Sequence, residues 1–349
     1  MKILMVGLGG IGQRHARNFR TILGDSLDLL AYRVRGLNQV VTPQLELDHS
    51  KTVEQALGVR TFGDLDAALA ESPEAAIICN PSSRHVPIAT ACARAGCDLL
   101  IEKPVSDSLD GLTELKDALA ANGRIAYVAY QLRFHPCIKA ARELLLSGVI
   151  GRLLSVRATV GEYMPNFHRY EDYRQGYAAR ADLGGGVVLT QIHEFDYLYS
   201  LFGLPKRLFA LGGHWSELEI DVEDTASILM ECVIDGRPLP VHLHQDYLQS
   251  PPSRQCEIIG ERGKIVIDFP TLSVTAHDRP GGSQTVKSFA GFDRNQMFIE
   301  EARHFLECIA DRKQPIVNLD AGIASLRMAL AAKESIRTGA AVALGSEDE

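Results

Sequence analysis

Three features that would narrow the function are absent from this sequence. No uninterrupted apolar run approaches the ~20 residues that a membrane-spanning helix needs, which argues against a membrane protein. The net charge of −8 gives no basic surplus, so we expect no nucleic-acid or anionic-membrane partner. The seven cysteines are scattered and form no C-x-x-C pair, so we expect reduced thiols, a cytoplasmic location and no bound metal.

The chain opens with a strand-like run followed by a glycine-rich turn. Residues 3–6 are continuously apolar, and Gly7-Leu8-Gly9-Gly10-Ile11-Gly12 fits the pattern G-x-G-x-x-G. Residues 13–20 contain no glycine or proline and can form a helix whose free N–H groups face phosphate charges. This order predicts a dinucleotide site, with a ligand-free turn as the alternative. The residues assigned to the cofactor here are Gly7, Gly9, Gly10, Ile11 and Gly12.

The second predicted strand ends in arginines where NAD-selective sites carry a carboxylate. Residues 27–32 form the strand-like run, and Arg33 and Arg35 follow it. A carboxylate at this place accepts hydrogen bonds from the ribose 2′-OH, whereas guanidinium groups pair with a 2′-phosphate. The sequence therefore favours NADP(H), with NAD(H) as the second option. Solvated loop arginines are the alternative interpretation.

Another predicted strand end borders the same site. The apolar run at residues 75–79 is followed by Asn80 and Pro81, and His85 stands at the start of the next predicted helix. Ligands of a doubly wound sheet bind at the carboxyl ends of its strands, so we assign these three residues to the cofactor. Turn, cap or packing roles are the alternative.

A lysine follows the next strand. The run at residues 98–101 leads directly into Glu102-Lys103-Pro104. At the end of a central strand an ammonium group would lie beside the nicotinamide, where it can polarise a carbonyl or hold a hydroxyl during hydride transfer. We assign Glu102 and Lys103 to the cofactor site and Lys103 to catalysis. A surface turn with an ion pair is the alternative.

Strand-like and helical segments alternate from residue 1 to about residue 130, as a parallel sheet with crossover helices requires. The remaining strand-like runs follow one another more directly, and residues 260–263 read as a hairpin turn. A chain of 349 residues is also long enough for two domains. The predicted fold class is α/β, with a doubly wound parallel sheet in residues 1–130 and an α+β domain in residues 131–349.

The glycine turn and Glu102-Lys103-Pro104 together resemble the Gfo/Idh/MocA family of oxidoreductases. Two later stretches strengthen the resemblance, namely residues 131–136 followed by residues 148–151, and residues 184–186 followed by His193 and Asp196. The resemblance implies a Rossmann domain, then a domain with a large, open, mostly antiparallel sheet that supports a homodimer or homotetramer. It also implies catalysis by Lys103 with His193.

This chain departs from the family pattern next to the histidine. Many members carry an aspartate three or four residues before it, where this chain has Thr190. A threonine cannot carry charge or orient an imidazolium as a carboxylate does. Asp196 or Glu194 is therefore expected to take over that role.

Residues 187–202 are predicted to form one helix. Its apolar side chains recur at helical spacing, and His193 falls on a different face. A neutral imidazole there can accept a proton from a substrate hydroxyl, since its ordinary pKa of ~6.5 suits neutral pH. A structural histidine in a helix is the alternative interpretation.

An irregular stretch at residues 161–182 is rich in aromatic and polar side chains. Aromatic faces with hydrogen-bonding neighbours suit a sugar ring, so we expect a wall for a sugar-like small molecule. A loop packed on its own rings is the alternative. The residues assigned to substrate are Arg133, Tyr163, Tyr173, Arg180, Thr190 and His193.

His242, His244 and Asp246 share one face of a predicted strand. Three such side chains can bind zinc, but no supporting motif accompanies them, so we expect a sheet face or a subunit interface. The C-terminal residues 345–349 are expected to fray.

The predicted function is hydride transfer between NADP(H) or NAD(H) and a secondary alcohol or ketone of a sugar or nucleotide-sugar-like substrate. Three alternatives remain: a glycoside hydrolase that retains NAD, a non-catalytic dinucleotide-sensing regulator, and a reductase of a cyclic imine or a biliverdin-like ring. Thr190 in place of a carboxylate is the feature that suits the regulator.

Overall fold

The computed structural model describes residues 1–35, 39–278 and 284–345. No helix in this described part of the chain is long and apolar enough to cross a membrane. The tail expected to fray lies outside the described residues from position 346 onward.

The first part of the chain alternates strands and helices as predicted. Its strands are β1 (Lys2–Val6), β2 (Asp28–Tyr32), β3 (Val40–Val41), β4 (Leu47–Asp48), β5 (Arg60–Phe62), β6 (Ala75–Ile78), β7 (Asp98–Glu102) and β8 (Ala126–Ala129). Its helices are α1 (Gly10–Leu23), α2 (Val53–Leu57), α3 (Leu65–Leu69), α4 (His85–Arg94) and α5 (Leu112–Ala121).

Six of these strands form one parallel sheet in the order β5-β2-β1-β6-β7-β8. The chain winds outward from β1 in one direction through β2 and in the other through β6, so the carboxyl ends of β1 and β6 border a crevice. Strands β6 and β7 are buried at every position, which explains why all of β6 and residues 99–101 of β7 are apolar.

The second part contains a larger sheet. Its strands are β9 (Leu153–Gly161), β10 (Arg207–Gly213), β11 (Thr225–Ile234), β12 (Arg237–Asp246), β13 (Ser253–Gly260), β14 (Gly263–Asp268), β15 (Ser273–Asp278), β16 (Gln284–Ser288) and β17 (Val342–Ala343). The helices are α6 (Pro136–Leu146), α7 (Val187–Thr190), α8 (His193–Phe202), α9 (Asn295–Asp311) and α10 (Leu319–Thr338).

These nine strands are ordered β16-β15-β14-β13-β9-β12-β11-β10-β17. Every pairing is antiparallel except that of β9 with β12, so the sheet is mostly antiparallel, as expected. The α/β fold class predicted from the sequence is confirmed. The predicted hairpin at residues 260–263 joins β13 to β14.

The helix expected over residues 187–202 is wrong as a single element. It is divided into α7 and α8 by Gln191 and Ile192. The side chain of Gln245 on β12 donates to the carbonyl oxygen of Gln191 at 2.8 Å, and the Gln191 side chain donates to the carbonyl of Asp246 at 2.9 Å. These contacts with the sheet interrupt the helical hydrogen bonds, and they place His193 at the first residue of α8.

Candidate active site

The glycine turn has the geometry of a diphosphate-binding turn. Gly7 has φ of +90°, and a Cβ added there would lie 3.0 Å from the carbonyl oxygen of Cys79 at the end of β6. A Cβ on Gly12 would lie 2.4 Å from the carbonyl oxygen of Gly7, so strand and helix pack too closely for a side chain. Gly9 faces open space, which leaves its backbone accessible to a ligand. These three positions fit the predicted cofactor, as does the helix start at Gly10 and Ile11.

Asn80 offers unused hydrogen-bonding atoms beside this turn. Both polar atoms of its side-chain amide are buried and have no partner among the described residues. Such atoms are rare in native proteins unless a ligand or water completes them. Pro81 precedes a short 3₁₀ turn, Ser82–Arg84, on the same side of the crevice. These observations agree with the prediction that Asn80 and Pro81 border the cofactor.

His85 lies behind the crevice. Its Nε2 is 2.7 Å from the carbonyl oxygen of Asn80, and its Nδ1 is 2.9 Å from that of Pro104. Burial lowers its pKa, so the neutral ring donates to one of these carbonyls at a time. These two contacts favour the packing role, in which His85 supports the turns that follow β6 and β7. Direct contact of His85 with the cofactor stays a prediction.

Arg33 is engaged by a carboxylate that the sequence pattern did not indicate. Its guanidinium nitrogen lies 2.8 Å from Oε1 of Glu54 on α2, and the side chain is largely buried. Arg35, in contrast, is exposed. The end of β2 thus presents a neutralised pair and one exposed cation.

Lys103 is held at the end of β7 by two neighbours. Its ammonium nitrogen Nζ donates to the carbonyl oxygen of Thr190 at 2.8 Å, which joins the first sheet to α7. Its backbone N–H donates to Oε2 of Glu102. The group that holds the Lys103 ammonium is therefore the backbone carbonyl of Thr190. This residue lies three positions before His193 in the sequence.

Glu102 is a buried carboxylate that ties Lys103 to α1. Its Oε1 lies 2.8 Å from Nε2 of His15. Burial by itself would raise the pKa of Glu102, but the hydrogen bond with His15 and the charge of Lys103 outweigh burial and lower it. Glu102 therefore places a negative charge next to Lys103 at the end of β7.

His193 is buried at the start of α8. Its Nε2 lies 3.2 Å from the side-chain amide nitrogen of Gln131, while its Nδ1 has no partner among the described residues. Burial, together with the positive charges of Lys103, Arg254 and Arg294, holds the pKa of His193 well below its ordinary value. The position at a helix N-terminus acts in the same direction. The imidazole is therefore neutral and able to accept a proton.

Neither carboxylate expected to orient His193 does so. Asp196 accepts two hydrogen bonds from Arg133, at 2.6 and 2.8 Å, and Glu194 accepts two from Arg254, at 2.6 and 2.9 Å. Each acid is fully buried, so its arginine is needed to compensate the buried charge. The expectation that Asp196 or Glu194 replaces the family aspartate is wrong, since Gln131 contacts the ring.

The residues assigned to substrate are not brought to one place. Arg133 is committed to Asp196, and Arg180 forms an exposed pair with Asp182 at 2.7 Å. The hydroxyl of Tyr173 accepts a hydrogen bond from the backbone N–H of Glu219, whereas Tyr163 is exposed. Thr190 contacts Lys103 through its carbonyl, and the charge of Lys103 acts on His193. Direct substrate contact by all the assigned residues stays a prediction.

The strand face with His242 and His244 lies apart from this site. Nδ1 of His244 is 2.8 Å from the hydroxyl of Ser227, and its Nε2 is 3.2 Å from Asp246. Within the described ranges, no group of three histidine, cysteine, aspartate or glutamate side chains is arranged to hold a metal ion.

Three residues in the neighbourhood of the site were not assigned from the sequence. They are His15, which holds Glu102; Gln131, which holds His193; and Tyr170, which approaches the glycine turn. Gln131 belongs to the motif at residues 131–136, and that motif was the available signal. The partners of His15 and Gln131 lie 87 and 62 positions away, beyond the reach of a local pattern.

Comparisons with known proteins agree with this architecture. A family model described as an oxidoreductase family with an NAD-binding Rossmann fold matches residues 1–130. A second model, the GFO/IDH/MocA C-terminal domain, matches residues 138–266. Together the two matches cover more than half of the chain.

Individual relatives match along nearly the whole length. A myo-inositol 2-dehydrogenase of Thermotoga maritima is 25% identical, over 99% of this chain and 98% of that protein. A scyllo-inositol 2-dehydrogenase (NAD(+)) of Bacillus subtilis is 25% identical, over 99% and 96%. The solved structure of a levoglucosan dehydrogenase with NADH and levoglucosan has a TM-score of 0.82 at 17% identity, over 99% and 100% of the two chains. At that identity the structural match shows the fold.

Proposed function

Since the chain belongs to the Gfo/Idh/MocA family of oxidoreductases, with an NAD-binding Rossmann fold at its N-terminus, we propose that it transfers hydride between NAD(H) and a secondary alcohol of a sugar- or inositol-like polyol. The observation that carries this proposal is the contact between Lys103 and the carbonyl of Thr190. This carbonyl lies three residues before His193, whose pKa is lowered by burial and by the charge of Lys103, and that supports a pairing of the two side chains.

Lys103 and His193 divide the acid–base work in this proposal. The ammonium of Lys103 donates a hydrogen bond to the reacting oxygen and stabilises the negative charge that develops there. The neutral imidazole of His193 accepts the hydroxyl proton. The bound nicotinamide supplies the acceptor for the hydride that leaves the same carbon. In the reverse direction the proton returns to the oxygen as hydride adds to the carbonyl carbon.

The cofactor assignment shifts from the expectation based on sequence. NADP(H) was favoured because Arg33 and Arg35 follow β2, but Glu54 already pairs with Arg33. A 2′-phosphate would have to displace or repel that carboxylate, whereas a ribose hydroxyl can donate to it. We therefore assign NAD(H), with Arg33 and Glu54 beside the adenosine ribose.

The polyol assignment rests on the relatives and on the loop at residues 161–182. The relatives include dehydrogenases named for inositol, and the structural match includes one named for levoglucosan. The loop supplies aromatic side chains, among them Tyr170, which approaches Gly10 of the glycine turn. Ring faces of this kind suit the C–H face of a cyclic polyol.

A second copy of the chain is proposed to cover the open sheet. Phe209 and Leu211 on β10 and Leu229 on β11 project from the uncovered face and are 43 to 60% exposed. Contiguous apolar exposure of this kind is typical of subunit interfaces. Light scattering should give the mass of a homodimer or homotetramer, and Leu229→Lys should reduce it; a monomeric wild-type protein would contradict this part of the proposal.

The function is tested with the purified protein, NAD⁺ and a panel of polyols that includes myo-inositol, scyllo-inositol and levoglucosan. NADH should appear with at least one of them, and Lys103→Met should abolish it while the protein still binds NADH. Stoichiometric NAD in the preparation, with release of a leaving group and no net NADH, would instead favour the hydrolase. Dinucleotide binding without turnover of any polyol would favour the regulator.

A further inference from the structure

Gly10 occupies a position where the fingerprint G-x-G-x-x-G allows any residue. The structure nevertheless gives a reason for glycine at this position. A Cβ built on Gly10 would lie 2.7 Å from the hydroxyl oxygen of Tyr170, a residue of the irregular stretch at residues 161–182. The ring carbon that bears this hydroxyl would be 3.9 Å away, so the hydroxyl alone causes the close approach. Tyr170 thus reaches the start of α1, where the cofactor diphosphate is expected.

The loop that carries Tyr170 spans the crevice between β1 and β6. On the β1 side, Tyr170 touches Gly10. On the β6 side, the hydroxyl of Ser83 donates to the carbonyl of Asp182 at 3.0 Å, and a Cβ on Gly184 would be 3.2 Å from that of Ser82. We call residues 162–183 the strap. Because the strap contacts both sides of the crevice, a dinucleotide in the crevice would lie beneath it.

The anchor of the strap has the chemistry of an anion site. Burial raises the pKa of Tyr170 to about 12, so its hydroxyl is a proton donor at neutral pH. Arg14 on α1 adds a cation, and its guanidinium stacks on the ring of Phe298 at 4.7 Å. In the described part of the chain Arg14 has no hydrogen bond and no close ion pair, and its charge interacts with Glu102 and Asp293 and also with the Tyr170 phenol. The Tyr170 hydroxyl thus lies against the helix start, and the charge of Arg14, one helical turn further along α1, acts on the same phenol.

We propose that Tyr170 and Arg14 complete the cofactor diphosphate site. The Tyr170 hydroxyl donates to a diphosphate oxygen, Arg14 pairs with the diphosphate charge, and the strap is thereby fixed over the dinucleotide. This inference rests on the proposed function. Because the diphosphate fixes the strap, binding of the cofactor also closes the wall of the substrate site. The dinucleotide therefore binds before the polyol and leaves after it.

The first test measures the Kd for NADH by cofactor fluorescence in the wild type, Tyr170→Phe and Arg14→Gln. Each variant should raise the Kd about tenfold or more, as expected for a lost hydrogen bond to a charged group. Arg174→Gln is the matched control for Arg14→Gln, since it removes from the same strap an exposed guanidinium that is already paired with Asp172 and Glu219, and its Kd should equal that of wild type. Unchanged NADH affinity in both test variants would overturn the inference.

Gly10→Ala probes the same contact from the other side. The added methyl group should displace Tyr170 and raise the Kd for NADH, and it should cost less when combined with Tyr170→Phe because the clashing oxygen is then absent. Equal cost in both backgrounds would contradict the contact. This comparison needs no catalytic activity.

Closure of the strap is measured by limited proteolysis with trypsin. Arg169 is exposed in the strap and adjoins Tyr170. NADH should slow cleavage after Arg169 in wild type and should protect Tyr170→Phe less at equal cofactor occupancy. Binding of NADH without protection would overturn the strap while leaving the proposed function intact. If the wild type bound no dinucleotide, both the inference and the proposed function would fail.

Discussion

The side-chain amide nitrogen of Gln131 lies 3.2 Å from Nε2 of His193, and this contact stands where a carboxylate contact was expected. A neutral amide orients the ring without raising its pKa. The carboxamide can hydrogen-bond to either tautomer of the neutral imidazole, because it carries both a donor and an acceptor. The buried imidazole therefore stays a neutral proton acceptor over a wide range of pH.

Gln131→Glu should change the pH profile of polyol oxidation. In wild type the acidic limb of kcat/KM should lie below pH 6.5, because burial and nearby cations lower the pKa of His193. A carboxylate at position 131 stabilises the imidazolium, so the limb should move to higher pH. Gln131→Leu, which removes the ring partner without adding charge, should lower kcat about tenfold with no upward movement of the limb. Identical profiles for the wild type and Gln131→Glu would contradict the contact.

Buried histidines should make the fold sensitive to mild acid. Burial and the charges of Arg254 and Arg294 lower the pKa of His135 to about 4. An unfolded chain therefore binds protons below the ordinary pKa of 6.5 that the folded chain does not bind, and the free energy of unfolding falls between pH 6.5 and about 4. The loss is about 3 kcal/mol at most for this residue.

His135→Leu should flatten this dependence in thermal melts recorded across that pH range. His49→Leu is the matched control, because His49 is exposed and its substitution should leave the slope as in wild type. The prediction fails if both variants lose stability with acid as steeply as the wild type.

Arg133→Met should act mainly on stability. It leaves the buried carboxylate of Asp196 without its bidentate partner, which costs about 3–5 kcal/mol. Arg180→Met breaks an exposed, solvent-screened pair with Asp182 and should cost far less. Midpoints of denaturant unfolding measure both. A stable Arg133→Met protein with a strongly raised KM for polyol would restore Arg133 as a substrate residue.

The choice of cofactor should depend on Glu54. Glu54→Gln removes the carboxylate that pairs with Arg33, and with it the negative charge that would repel a 2′-phosphate. The ratio of Kd values should shift towards NADPH by about tenfold, the effect of ~1.4 kcal/mol. Arg33→Gln should not produce this shift. A wild-type protein that already prefers NADPH would contradict the assignment of NAD(H).

Much of the first sheet could be predicted because its signals are local. The glycine turn, each apolar strand and the lysine after β7 are each recognised from a few consecutive residues. The division of the helix before His193 could not be predicted, since residues 187–202 carry a helical apolar pattern throughout. It is caused by Gln245, which is 54 residues from its partner Gln191. A local sequence pattern gives no information about a contact between residues so far apart in the chain.

The same limit applies to the charges at the site. Arg33 and Arg133 were both assigned to ligands because arginine suits phosphate and hydroxyl groups. Each has a carboxylate partner, at sequence separations of 21 and 63 residues. Residue type predicted the chemistry that these side chains can perform, whereas the fold determined which group each one meets.

The central claim is that Lys103 and His193 act on a polyol in the presence of bound nicotinamide. Its most direct test is single-turnover formation of NADH from NAD⁺ and the best polyol of the panel, in wild type, Lys103→Met and His193→Phe. Both variants should bind NADH as the wild type does. The rate of the NADH-forming phase should fall by a factor of about 100 or more in each. Full-amplitude NADH formation at the wild-type rate in either variant would contradict the account.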